Sequence, residues 1–163
     1  FIMMRLYFNK FEPTDFNLYF LLVSNEEVMA QITERSIPLE EAQANFKKLL
    51  KRNEKHQLFG SYKVCDSITN EYIGLGHVTV NEENAKEAEI GYMLLPEHWG
   101  KRYGSAIAKE LMNIAKQTDV SVLKAIIDPN NIPSQKILLN AGFTSEIVCE
   151  IDGLPGEILS TYI

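Results

Sequence analysis

The chain has 163 residues, 45% of them hydrophobic and 23% charged, the size and balance of a single soluble globular domain. Its formal net charge of -6 at pH 7 argues against a nucleic-acid binder, which carries a basic patch, and mildly favours a cationic or amine-bearing partner. The longest apolar stretches run to about five residues against the roughly 20 needed to cross a bilayer, and no basic segment precedes an apolar run, so neither a membrane span nor a secretory signal is expected.

Met3-Met4 ahead of Arg5 reads as a natural start, which makes residues 3–163 one expected domain with a cytoplasmic location. Cys65 and Cys149 lack metal-ligand spacing and read as reduced thiols, with a single disulfide as the alternative. His56, His77 and His98 lack zinc-site spacing too and read as surface or packing residues, so no metal is expected.

In chain order, Arg5 to Phe8 is a short β-type run. Glu12-Pro13-Thr14-Asp15 reads as a helix entry with Thr14 as N-cap. Ser24 and Glu27 have capping-box spacing for a second short helix. From Pro38 onward Leu39, Ala42, Phe46, Leu49 and Leu50 fall on one helical face. Glu40 and Glu41 lie in its first turn, and Lys47, Lys48, Lys51 and Arg52 toward its end, as the helix dipole favours. The period then shortens to two. Leu58 to Cys65 and Tyr72 to Val80 read as strands joined by the polar turn 66–70, and a third strand, Ala88 to Leu95, ends at Pro96.

A long helix follows, with Ile107, Leu111, Ile114 and Ala115 on one face and Gly104-Ser105 at its start. Val122 to Ile127 is an apolar run suited to a strand buried on both sides. A short helix from Pro133 turns Ile137, Leu138 and Ala141 inward and stops at Gly142. Strands around Phe143 to Glu150 and Glu157 to Tyr162 flank the turn 152–156. The order β-α-α-β-β-β-α-β-α-β-β predicts a mixed sheet in an α+β (mixed α/β) domain.

The segment 92–105 holds most of the chemistry. A helix N-terminus leaves backbone N–H groups unpaired and partly positive, and a glycine-bearing turn before it lets them close around a phosphate. Gly100 and Gly104 supply the freedom and Lys101 and Arg102 add charge; an ordinary glycine turn is the competing explanation. A P-loop is excluded because Arg102 follows Gly100-Lys101, and the dinucleotide fingerprint fails because Thr79 stands where its third glycine belongs. These absences shift the weight toward a different pyrophosphate ligand, of which coenzyme A is the obvious one.

Trp99-Gly100-Lys101-Arg102-Tyr103-Gly104 resembles the acetyl-CoA motif of the GNAT superfamily, Gln/Arg-x-x-Gly-x-Gly/Ala, with Trp99 at the Gln/Arg position and Arg102 at the first required glycine. An aromatic-Gly-Lys string is familiar in the Rim-type branch, the ribosomal-protein N-acetyltransferase-like one. Downstream, Asn131 and Ser134 are similar to that family's Asn-x-x-Ser, followed by Gly142-Phe143. Their plainer uses are a turn residue and a helix cap. The resemblance implies a mostly antiparallel sheet with one splayed strand pair. It implies acetyl-CoA lying there, its diphosphate on the backbone of Trp99 to Ser105 and its pantetheine arm near Met93, Leu94, Asn131 and Ser134.

The same resemblance makes Glu89, in Ala88-Glu89-Ile90, the candidate base, and alternation puts it on one face with Gly91 and Met93. Ser134 is the candidate at the leaving sulfur, and a backbone N–H at or near Leu94 the candidate oxyanion donor. Trp99 and Tyr103 pack either on the cofactor or in the core. The implied reaction is acetyl transfer from acetyl-CoA to a primary amine of a protein N-terminus, polyamine or small molecule. A CoA-binding sensor without turnover is the alternative, and the resemblance leaves a homodimer open.

Overall fold

A computed structural model describes residues 5–163, so the start expected at Met3-Met4 lies outside the described residues. The described chain runs β1 (Leu6–Lys10), α1 (Phe16–Val23), α2 (Glu26–Met29), α3 (Leu39–Lys55), β2 (Gly60–Asp66), β3 (Tyr72–Asn81) and β4 (Asn84–Leu94). It continues through α4 (Tyr103–Lys116), β5 (Val122–Ile127), α5 (Ile132–Asn140), β6 (Thr144–Ile151) and β7 (Leu154–Tyr162). Short 3-10 turns at Pro13–Asp15 and Pro96–His98 precede α1 and α4.

Two expected caps are corrected. Thr14 does not open α1: the Glu12 N–H donates to Asp15 Oδ2 at 2.8 Å, and Asp15 N–H returns to the Glu12 carbonyl at 2.9 Å. Pro13 pre-sets the first position of that turn, so the chain enters the helix one residue pair early. Ser24 does not cap α2. It remains helical at the end of α1, and Asn25, in extended backbone, accepts from the N–H groups of Glu27 and Val28 at 2.9 and 3.2 Å.

The strands form one seven-stranded sheet in the order β1-β2-β3-β4-β5-β7-β6. Every neighbouring pair is antiparallel except β4 and β5, which run parallel. The helices cover both faces. Ile107, Leu111 and Ile114 of α4, with Leu138 of α5, bury the even-numbered face of β4, Ala88 and Ile90. Tyr19 and Leu22 of α1 and Phe46 and Leu49 of α3 close the opposite face over Leu75.

One polar residue anchors the second layer. Asn53, buried on α3, donates to the carbonyls of Phe11 and Ser61 at 3.3 and 3.1 Å and accepts the Ser61 N–H at 2.8 Å. It satisfies backbone groups at the start of β2 that no strand reaches, and a helical period alone could not distinguish it from an exposed Asn. Cys65 and Cys149 are both free thiols.

Candidate active site

The parallel pair opens early. β4 and β5 pair only through Glu87 with Val122, Ala88 with Leu123 and Glu89 with Lys124, although β4 continues to Leu94 and β5 to Ile127. Beyond Lys124, β5 keeps its partner β7 and follows it away. Leu95 N–H donates to the Ile73 carbonyl on β3 at 3.0 Å. Because backbone groups alternate sides along a strand, those of Tyr92 and Leu94 therefore point toward the gap. The Leu94 carbonyl is taken by the indole N–H of Trp99 at 2.9 Å, which leaves the Leu94 N–H directed into the opening.

The loop beyond it is a concave run of amides. Trp99 N–H closes the 3-10 turn on the Pro96 carbonyl at 3.1 Å, and the first helical bond is Ala106 N–H to the Arg102 carbonyl at 3.3 Å. Between them, the N–H groups of residues 100–105 meet no protein acceptor among the described residues. Gly100 and Arg102 both stand in the left-handed region, at φ of 72° and 69°, which turns successive amides to one side as in an anion-binding nest. Arg102 thus explains why the resembled motif wants glycine there: an L side chain in that region costs roughly 1–2 kcal/mol. Lys101 and Arg102 are exposed around these amides.

A diphosphate fits this arrangement through residues 100–105, with Trp99 contributing its indole to the strand end rather than its amide to the cradle. Tyr103 faces inward, its ring edge-on to His98 at 5.5 Å and its hydroxyl 3.4 Å from Asp66 Oδ2. Gly104 lets α4 approach α5, since a Cβ there would lie 2.8 Å from Ile137 Cδ1. Ser105 is exposed on the first turn.

On the far side of the gap, Asn131 caps α5 by accepting the Ser134 N–H at 3.3 Å, so its amide NH2 remains available as a donor. The Ser134 hydroxyl lies near Tyr92 Oη and partly offsets the upward push that burial gives the phenol's pKa. No hydrogen bond of normal geometry joins the two, and the Tyr92 hydroxyl is buried without a partner. Strand alternation places Tyr92 on the face opposite Glu89, but periodicity carries no signal for an orphan hydroxyl.

The other face of β4 forms a cavity of about 550 Å3, walled by Glu89 and Met93 of β4, His77 of β3, Tyr19 of α1, Arg52 of α3 and Lys124 of β5. Met93 therefore stands on this side, while Leu94 packs on the α4 side. Burial raises the Glu89 pKa above the usual carboxylate range, because water that would solvate the anion is displaced. His77 Nε2 is 3.9 Å from Glu89 Oε2, and His77 Nδ1 lies 3.0 Å from the Thr79 hydroxyl. Although a quarter of its side chain opens on the cavity, burial pulls the His77 pKa down to about 4, with the Arg52 charge adding to the effect. His77 is consequently neutral at pH 7.

His77, expected to be a surface or packing residue, packs over Gly91 in this wall. The signal lay in strand pairing: antiparallel register sets His77 opposite Gly91 and Thr79 opposite Glu89. A Cβ on Gly91 would come within 2.3 Å of His77 Nε2, so the glycine makes room for the ring. A neighbouring cavity of the same volume lies around Lys55, Glu82 and Asp119, at the end of α4 remote from residues 100–105. No cluster of three or more potential metal ligands occurs among the described residues, and no described helix is long and apolar enough to cross a membrane.

An opened parallel strand pair with a cradle of free amides on the following helix is the architecture of an acyl-CoA transferase fold. Residues 5–144 match the family model of the acetyltransferase (GNAT) domain, and the chain belongs to that family. It is similar to the uncharacterized N-acetyltransferase p20 of Bacillus licheniformis, 31% identical over 98 residues, which are 58% of this chain and 54% of that protein. A second relative is the uncharacterized N-acetyltransferase YoaA of Bacillus subtilis, 29% identical over 79 residues, 48% of this chain and 45% of the relative. The chain spans about half the length of these curated relatives.

Among solved structures it resembles the spermidine N-acetyltransferase from Vibrio cholerae in complex with CoA and spermine, with a TM-score of 0.81 at 17% identity over 96% of this chain and 95% of that one. It also resembles a GNAT-family acetyltransferase from Bacillus anthracis, with a TM-score of 0.77 at 21% identity over 99% and 97%. At these identities the likeness is one of fold.

Proposed function

We propose that the protein is an N-acetyltransferase that moves an acetyl group from acetyl-CoA to a primary amine by direct attack in a ternary complex. The observation that carries this reading is the set of acceptor-free amides at residues 100–105, at the mouth of the parted strands, with the half-buried Glu89 carboxylate on the adjoining strand β4. The aromatic-Gly-Lys string at 99–101 supports placement in the Rim-type branch.

Bound acetyl-CoA supplies an activated acyl carbonyl; the remaining work falls to this chain. The 100–105 amides, Lys101 and Arg102 hold the diphosphate, and Asn131 Nδ2 faces the pantetheine arm. The Leu94 N–H, already fixed by its strand, donates to the carbonyl oxygen and needs no reorganisation as negative charge grows there. Ser134, backed by the unpaired Tyr92 hydroxyl, donates to the leaving sulfur. The acceptor nitrogen enters from the Glu89 cavity. An α-amino group has a pKa of about 8 and a lysine about 10.4, so either arrives protonated. Glu89 takes that proton, directly or through one water, and its raised pKa suits it to the task. Neutral His77 beside it neither neutralises Glu89 nor repels the incoming ammonium.

Titration calorimetry with acetyl-CoA, followed by thiol-release assays on a panel of amines, tests the proposal. Binding with thiol release from at least one amine is expected. Binding without release for any amine would point to the sensor alternative, and absence of binding would overturn the use assigned to residues 100–105.

A further inference from the structure

The Glu89 cavity has two charged groups left over after its internal pairing is counted. Glu87 accepts from Asn81 Nδ2 at 2.8 Å and from Lys124 at 3.5 Å, and Lys124 is also 3.7 Å from Glu146. These groups satisfy one another. Among the described residues, Glu89 has only the neutral His77 within ion-pair reach. Arg52 forms no ion pair among the described residues, yet it lines the same cavity and its charge is felt by both His77 and Tyr19. One free anion and one free cation thus share a pocket whose remaining wall includes Leu49, Met93, Ile126 and Ile158.

Resting on the acetyl-transfer reading, we propose that the acceptor is a zwitterion, a small primary amine that also carries a carboxylate. Its nitrogen faces Glu89, its carboxylate pairs with Arg52, and its apolar body lies across Met93 and Ile126. A guanidinium presents a planar fork of donors matched to a carboxylate. A polyamine would instead set further positive charge against Arg52, and a protein N-terminus or simple alkylamine would leave Arg52 without a counter-charge.

The test uses matched pairs: α-, β- and ω-amino acids with apolar chains, each against its primary amide, together with spermidine. Both are assayed for thiol release and titrated into the CoA-loaded protein, so the inference is read by binding as well as by turnover. A hydrogen-bonded pair to a charged group contributes about 1.5–3 kcal/mol, which corresponds to roughly tenfold or more in kcat/KM in favour of the acid. Arg52→Gln is expected to abolish that preference by raising KM for acids at least about tenfold more than KM for amides, and Arg52→Lys to restore it in part. Amides binding and reacting as well as acids, spermidine outrunning both, or Arg52→Gln leaving the ratio intact would each overturn the zwitterion. Preferential binding of acids with no thiol release from any amine would uphold it while removing the transferase reading.

Discussion

Glu89 and His77 show how one cavity moves two ionisations in opposite directions. Burial penalises the charged form of each, raising the carboxylate and lowering the imidazole to about 4. The linkage signs follow. A folded-state pKa raised for Glu89 means that its stabilising contribution is present below about pH 4.5 and lost as pH rises through the folded value. For His77 the unfolded chain binds its proton first, so stability declines as pH falls from about 6.5 toward 4. Catalysis takes the other side of the bargain: an ionised Glu89 is the base, so kcat should fall on acidification through its raised pKa, placing the acid limb above pH 4.5. Glu89→Gln is expected to lower kcat by about 10²-fold or more and to remove that limb, as pH–rate profiles in steady state would register. Unchanged kinetics would take Glu89 out of the mechanism. That Glu89 lies on the strand leading to the loop was legible from Ala88-Glu89-Ile90 and its alternation, whereas His77 was not, since its importance comes from a partner strand.

At the scale of elements, the turn into α4 carries a conflict between local geometry and residue type. Gly100 satisfies its left-handed φ without cost, but Arg102, at φ 69° and without a side-chain cap hydrogen bond to the helix, does not. Arg102→Gly is therefore expected to stabilise the free protein by about 1 kcal/mol, readable as a rise in Tm. If the Arg102 side chain holds the diphosphate as proposed, the same variant should weaken acetyl-CoA binding, so Tm and affinity would move in opposite senses. A lower Tm would show that Arg102 makes a stabilising contact in the free protein. The position of this turn could be read from glycine spacing and from Pro96, which ends β4. The handedness at Arg102 could not, because an arginine gives no warning of positive φ. The shifted caps at Glu12 and Asn25 share a cause: several neighbouring polar residues can each serve, and the path of the chain into the packed layer selects among them.

For the whole molecule, two apolar layers hold the sheet from either side, and one of them joins Ala88 and Ile90 of β4 to Leu123 and Ala125 of β5, while the strand backbones themselves pair no further than Glu89 and Lys124. Acetyl-CoA bound in the gap beyond that point would tie the β4–α4 unit to the β5–α5 unit. A ligand that binds only the folded state at a hundred times its Kd stabilises by about 2.7 kcal/mol, or a Tm increase of about 5–10 °C for a domain of this size. Thermal melts with and without acetyl-CoA would measure it, with ADP, which carries a diphosphate but no pantetheine arm, giving a smaller shift through the diphosphate cradle alone. No shift with either ligand would count against the gap as the cofactor site.

What periodicity and spacing in the sequence determined were the element order, save that three helices rather than two separate β1 from β2, and the strand–turn–helix junction at residues 92–105; the candidacy of Glu89, Asn131 and Ser134 came from the family resemblance of short motifs. Only the tertiary structure decided where β5 leaves β4, which amides remain without acceptors, that Tyr92 carries an unpaired hydroxyl, and that Arg52 and His77 share a cavity with Glu89. Those properties depend on register between strands and on helices packed from distant parts of the chain, and a linear pattern holds no record of either.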